Sequence, residues 1–204
     1  MLMAELSRRS GVPVATIKYY QREGLLPTGV VTAPTRARYD EGHVRRLRLI
    51  RALVEIGEMP IAAVKKVLGR VDDPSVSLHD MFGTVQYALG PAGPAASAEA
   101  LAEVSELIDS LGWRITPQAP ARELLAATLS ALRAAGAPAG VGLREYALAL
   151  RDLAGREVAS VGPLAAGSRT AAAEAAVAGM VLRERMLIAL RRLAQEDASA
   201  RHYG

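Results

Sequence analysis

Apolar residues recur at helical spacing along nearly the whole chain, and strand-like patterning is confined to one short stretch. Leu2, Met3 and Leu6 form a stripe that predicts a first helix. Ser10-Gly11-Val12-Pro13 ends it, because Pro13 cannot extend that helix. A second helix is expected from about Val14 to Glu23, stopped at Gly24 and followed by a Leu25-Leu26-Pro27 exit. Residues 27 to 39 break the helical period. Val30-Val31-Thr32 and Arg36 to Tyr39 are expected to pair as a hairpin around Ala33-Pro34. Asp40 then caps a third helix, with His43 at the capping-box position. Its apolar face is Val44, Leu47, Ile50 (or Arg51) and Val54, and Gly57 ends it. Pro60 suits the first turn of a fourth helix that buries Ile61, Val64, Val67 and Leu68.

After Gly69 the character changes. Asp72-Asp73-Pro74 reads as a linker or cap, a helix is expected from about Ser77 to Leu89, and Gly90-Pro91-Ala92-Gly93-Pro94 interrupts the chain. Further helices are expected at about 97 to 111, 120 to 135, 142 to 159 and 168 to 197. They are separated by Gly112-Trp113, Thr116 to Pro120, Gly136 to Gly142 and Gly162-Pro163. In the last helix, Val177, Val181, Glu184, Ile188 and Arg191 lie on one stripe, and Met180, Leu187, Leu190 and Ala194 on the next. That pattern suits packing on its own domain and on a partner. The fold class is therefore mainly α, with a small β-hairpin near the start. The expected division is a head at 1–70, a connecting helix and linker at 71–94, and an all-α domain at 95–204.

Charge sharpens that division. The formal net charge is +4 over 204 residues, but residues 1 to 70 hold 13 Lys/Arg against 6 Asp/Glu, a net of +7. The remaining 12 and 15 give the rest of the chain a net of −3. A basic head on a mildly acidic body suits a head that alone meets a polyanion. The chain has no cysteine, which excludes disulfides and thiolate metal sites, and His43, His79 and His202 lie far apart. No metal and no cofactor are expected. The start lacks a basic n-region and a long apolar run, and no uncharged apolar stretch reaches membrane-spanning length, so a cytoplasmic location with no membrane partner is the expectation.

The second helix carries the chemistry. Val14, Ala15, Thr16, Lys18, Tyr19, Tyr20 and Arg22 crowd methyl groups, hydroxyls and cations onto a few turns. Hydroxyls and cations bind phosphate oxygens and base edges, and small apolar side chains suit thymine methyls. Lys18 and Arg22, four apart, share a face. Ile17 should pack back on Leu6 and Ser7, and of the adjacent tyrosines at most one can face DNA squarely. Two helices joined by a Gly-containing turn make a helix-turn-helix, whose second helix normally enters the major groove. Arg36 and Arg38 project to one side of a strand and make a wing that could reach backbone phosphates, with Tyr39 directly after it. Arg45, Arg46, Arg48 and Arg51 on the next helix read mainly as solvated or salt-bridged surface.

Ala4 to Val12, Thr16-Ile17-Lys18-Tyr19-Tyr20, Glu23-Gly24-Leu25-Leu26-Pro27, Tyr39-Asp40 and Arg46-Leu47-Arg48-Leu49-Ile50, in this order and spacing, resemble the winged helix-turn-helix domain of MerR-family transcription regulators. The resemblance covers about residues 1 to 70. It implies a homodimer that binds double-stranded promoter DNA through the Lys18-Tyr19-Tyr20 region and the wing arginines, with RNA polymerase as a neighbour at the promoter. Three departures stand out. Lys18 replaces a commoner Arg, Thr35-Arg36-Ala37 replaces Gly-Tyr-Arg, and the segment that pairs with its twin as a long coiled coil is cut short at Gly90-Pro91.

The body is helical and strand-poor, which sets it apart from the β-rich effector domains of the family's multidrug sensors. The absence of cysteine sets it apart from the metal sensors. In helix order it is faintly similar to the effector domain of TetR-family regulators, which implies an apolar cavity for a small effector and a dimer built from the C-terminal helices. Met81, Phe82, Tyr87, Trp113, Tyr146 and Met180 are the candidate lining, or else ordinary core. No nucleophile elbow, P-loop, Gly-rich dinucleotide turn or His-rich site is visible, so an enzyme is not expected. The expected function is a ligand-responsive, DNA-binding transcription regulator. The alternative is an effector-independent architectural or constitutive DNA-binding protein whose body only dimerises.

Overall fold

A computed structural model of the chain describes residues 1–33, 36–89, 95–137, 142–161 and 168–204. Pro34 and Thr35 of the expected hairpin turn, the break at Gly90 to Pro94, residues 138–141 and the Gly162-Pro163 break lie outside the described residues. The described chain is mainly helical. The elements are α1 (Met3–Ser10), α2 (Val14–Arg22), β1 (Val30–Ala33), β2 (Arg36–Arg38), α3 (Glu41–Arg51) with a π-helical turn (Ala52–Ile56), α4 (Ile61–Asp72), α5 (Leu78–Leu89), α6 (Ala98–Ser110), α7 (Pro120–Ala134), α8 (Leu143–Ala159) and α9 (Arg169–Tyr203). They form two compact units, Met1–Val85 with Pro163–Gly204, and Gln86–Gly162. The expected 95–204 division groups α6 to α9 together; by packing, α9 clusters with the N-terminal helices.

In the first unit, α1 packs on α2 and α3, and α9 packs on α3, the π-turn and α4. Leu6, Ile17, Leu47, Ile50, Leu53, Val64 and Val67 are fully buried and make the core. Each such side chain contributes about 1.5–3 kcal/mol through removal from water. The stripe expected on the first helix is narrower than its pattern: Leu6 is buried, Met3 is half-buried and Leu2 is exposed. Leu2 occupies the cap position in extended backbone rather than the helix itself. Pro13 and Pro60 likewise stand at the caps of α2 and α4, where their missing N–H is no loss. Asp40 caps α3 as its sequence predicts. Its side chain accepts from the His43 backbone N–H at 3.1 Å, and His43 Nδ1 lies 2.7 Å from the same carboxylate oxygen and 3.2 Å from the Asp40 backbone nitrogen.

The end of α3 differs from expectation. The Gly57 N–H reaches back five residues to the Ala52 carbonyl, and in this wide turn Leu53 is the buried residue while Val54 is half-buried. The turn brings Gly57 against α9. A Cβ there would stand 2.5 Å from Val181 Cγ1 and 2.7 Å from the Leu53 carbonyl oxygen, so close approach of the helix requires glycine. Arg185 of α9 caps the same corner, donating to the Gly57 carbonyl at 3.1 Å and to Glu58 at 2.8 Å. Arg169, at the start of α9, donates to the carbonyls of Val71 and Val76.

In the second unit, α6 and α7 form a hairpin around Ala100, Val104 and Ala126, flanked by Ile108, Leu125 and Leu129. Small residues at the contact let the two helices approach closely. Arg122 bridges to Ser105 at 2.8 Å, and the Ser97 N–H donates to Ser130 at 3.1 Å, which locks the hairpin at both ends. Helix α8 is tied to the end of α6 by Arg144 on Ser110 and Arg151 on the Leu111 carbonyl, each at 3.0 Å. No helix among the described residues is long and apolar enough to cross a membrane.

Candidate nucleic-acid interface

Helix α2 divides into two faces. Ile17 and Tyr20 point inward, fully buried and 6% exposed respectively. Val14, Ala15, Lys18, Tyr19 and Arg22 face solvent, and Thr16 is half-buried. The spacing Ile17 to Tyr20, i to i+3, sets this division, and it sorts the tyrosine pair: one is packing, the other surface. Tyr19 is 36% exposed, leans on the Tyr20 ring at 5.8 Å between centroids, and carries the Arg22 guanidinium 5.9 Å above its own ring. That stack restrains an exposed aromatic and an exposed cation side by side. Burial raises the Tyr20 hydroxyl pKa above its ordinary value, with Glu55 adding to the shift, so Tyr20 stays neutral.

The wing is a two-stranded antiparallel hairpin, with Val30 opposite Arg38, Val31 opposite Ala37 and Ala33 opposite Arg36. The register slips between Val31 and Ala33. Arg36 and Arg38 are exposed and on one side, with Ala37 half-buried between them. Among the described residues neither arginine has a carboxylate partner. Two guanidiniums held on a strand outside any ion pair suit backbone phosphates. A groove of about 820 Å³ runs beside them, lined also by Met1, Leu2, Glu5, Thr32 and Tyr39.

Tyr39 sits at the base of this wing and is only 7% exposed. Its backbone N–H donates to the Met1 carbonyl at 2.9 Å, and the Met1 amine donates to the Tyr39 carbonyl at 2.7 Å. Its ring meets His43 edge-on at 5.2 Å. Tyr39 thereby stitches the first residues of the chain to the end of the wing. Sequence reasoning placed it with the surface groups because nothing local marks a tyrosine after a strand as a strut.

The arginine-rich helix α3 is not uniform surface. Arg9 pairs bidentately with Glu41 at 2.6 and 2.8 Å, and Arg51 pairs with Glu55 at 2.7 Å. Arg46 is instead buried, held by Glu174 of α9 at 3.1 Å and by Asp72. Of the expected solvated or salt-bridged surface, Arg46 is salt-bridged but not surface, because α9 covers it. No sequence signal exposes the pairing, because Glu174 lies 128 positions away in an alanine-rich helix.

The six candidate pocket residues divide between the two units. Met81, Phe82 and Met180 belong to the first; Tyr87, Trp113 and Tyr146 belong to the second. Met81 is fully packed, Phe82, Trp113 and Met180 are half-buried, and Tyr87 and Tyr146 are exposed. Among the described residues no group of three or more His, Asp or Glu could hold a metal ion.

Comparisons with known proteins agree with this head. Residues 1–70 match the family described as MerR HTH family regulatory protein. The mercuric resistance operon regulatory protein of Bacillus cereus is 34% identical over 80 residues, 39% of this chain. The chain spans 60% of the length of that curated relative, and mercury remains a matter for the relative, since no cysteine is present here. The crystal structure of a candidate transcriptional regulator, SCO5550 of Streptomyces coelicolor A3(2), is 40% identical and covers 100% of this chain and 98% of its own, at a TM-score of 0.76. The lead-bound transcription regulator PbrR691 of Ralstonia metallidurans CH34 is 25% identical over 55% of this chain and 80% of its own, at a TM-score of 0.39. The chain belongs to the MerR family of transcriptional regulators, with the family's helix-turn-helix domain at residues 1–70.

Proposed function

We propose that this regulator binds double-stranded promoter DNA as a homodimer and that a small, mostly apolar effector acting on its helical part controls it. The observation that carries the DNA reading is the sorting of the head. Lys18, Tyr19, Arg22, Arg36 and Arg38 are exposed, while Tyr20 and Tyr39 are buried as their supports. In this reading Val14, Ala15 and Thr16 enter the major groove, Lys18 and Arg22 take phosphates, and the wing arginines reach the adjacent backbone. Residues 1–70 are the DNA-binding head, 71–94 the connection, and 95–204 the effector and dimerisation region.

The dimer reading rests on α9. Its second half leaves Met186, Leu187, Ile188, Leu190 and Leu193 exposed. Apolar side chains left in water along one helix are unfavourable, and a second copy packed along α9 covers them in this reading. The effector reading is supported within each unit taken by itself: Phe82 and Met180 are half-buried in the first, where Met81 is core, and in the second Trp113 is half-buried while Tyr87 and Tyr146 are exposed. RNA polymerase at the promoter and a cytoplasmic location complete the proposal.

The test is binding to the DNA upstream of the protein's own gene across a salt series. Several phosphate contacts per head predict a steep linear fall of log affinity with log salt, and tighter binding than to random DNA of equal length. Equal affinity for the two DNAs would overturn the reading.

A further inference from the structure

A second cluster of cations lies on the head, away from the wing. Arg8 and Arg9 end α1, Gly11 turns the chain, and Arg48, Arg51 and Glu55 close the other side of a cleft of about 480 Å³. Arg48 donates one N–H to the Arg9 carbonyl at 3.2 Å, and Arg51 is oriented by Glu55 through its Nε at 2.7 Å. A guanidinium carries five donors, so both retain free N–H groups. Among the described residues the Arg8 side chain has no hydrogen bond and no ion pair. Gly11 has φ +71°, and a Cβ there would stand 3.0 Å from Arg51 Nη1, so the turn lies directly against that guanidinium. Four guanidiniums thus meet two carboxylates, Glu41 on Arg9 and Glu55 on Arg51. Packing does not require the cluster, since Arg8, Arg48 and Arg51 are exposed. Like charges gathered at a surface with too few counter-charges suit an external anion.

We propose that the Arg8–Arg48–Arg51 cleft is a phosphate-binding subsite. The planar forks of Arg8 and Arg48 grip the oxygens, and Glu55 fixes the third guanidinium. The phosphate has two sources, a backbone diester of DNA flanking the operator or a free phosphate group. The DNA arm rests on the proposed function; the free-phosphate arm does not.

The experiment uses the full chain and two double variants, R8A/R48A and R8K/R48K. The lysine pair keeps the charge and removes the fork. If the source is DNA, R8A/R48A reduces the salt slope of promoter binding by about one unit. R8K/R48K then keeps the slope but binds more weakly at every salt. If the source is free phosphate, inorganic phosphate or pyrophosphate raises the Tm of the wild type above that in sodium chloride of equal ionic strength. Both variants then lose that rise while promoter binding is unchanged. Either result supports the subsite. An unaltered salt slope together with no phosphate-specific Tm rise overturns it. Wild-type protein that fails to bind its promoter removes the proposed function, and the phosphate measurement still decides the cleft. Equal Tm of the lysine pair and wild type in phosphate-free buffer shows that the fold is intact.

Discussion

Arg46 Nε of α3 forms an ion pair with Glu174 Oε1 of α9 at 3.1 Å, and both side chains are almost wholly buried. Asp72 at the end of α4 holds the same guanidinium from its exposed side, and Arg45 Nε lies 3.7 Å from Glu174. One Arg46 nitrogen and one Glu174 oxygen have no hydrogen-bond partner. Burial pushes the Glu174 carboxyl pKa up, against the pull of Arg46 and Arg45. The C-terminal helix is therefore joined to the DNA-binding head by a buried charge pair.

Breaking that pair on one side leaves the other charge stranded. Glu174→Ala or Arg46→Ala should destabilise the protein by roughly 3 kcal/mol, the lower end for a buried pair because Asp72 and Arg45 remain as partial partners. The double change Glu174→Leu with Arg46→Met should recover most of the loss. Urea midpoints of the three proteins check this; a double variant as unstable as the singles would contradict it.

The Asp40 cap gives a pH prediction. The hydrogen bond with the His43 side chain, then that from its backbone, hold the Asp40 carboxyl below its ordinary value. A carboxylate depressed in the folded state stabilises above its unfolded pKa, and that contribution is lost as pH falls through the folded value. Asp40→Ala should cost about 1 kcal/mol at neutral pH. The gap to wild type should close in acid, as read by thermal melts from neutral pH downward.

Gly57→Ala tests the approach of α9 to the π-turn. The added methyl would meet both Val181 and the Leu53 carbonyl, so overpacking of about 1–3 kcal/mol is expected. Val181→Ala in the same chain should relieve part of it. Additive losses in the double variant would count against the contact.

The two tyrosines should separate cleanly. Tyr19→Ala should weaken promoter binding with little change in Tm, because its ring is largely at the surface. Tyr20→Ala should lower stability by about 3 kcal/mol, as loss of a buried aromatic does. Anisotropy titrations beside thermal melts distinguish the two effects.

The dimer reading predicts that Leu190→Glu with Leu193→Glu converts the protein to a monomer in sedimentation velocity. Both side chains are exposed, so the Tm of the head should hold. A wild type already monomeric at micromolar concentration would remove this basis for the dimer.

Local rules read the head almost completely. The Asp40–His43 cap, the hairpin arginines on one side and the inward turn of Ile17 follow from spacing and capping chemistry within a few residues. Leu2, Val54 and Tyr39 escaped those rules, because a cap position, a π-turn and a chain terminus decide their burial. The sequence by itself determined the helical class, the hairpin and the candidate DNA face, since each depends on neighbours within one or two turns. The partner of Arg46, the packing of α9 on the head and the arginine cleft beside Gly11 were decided only by tertiary structure. They join groups up to 128 positions apart, and charge pairing and close packing over such distances leave no periodic trace along a chain.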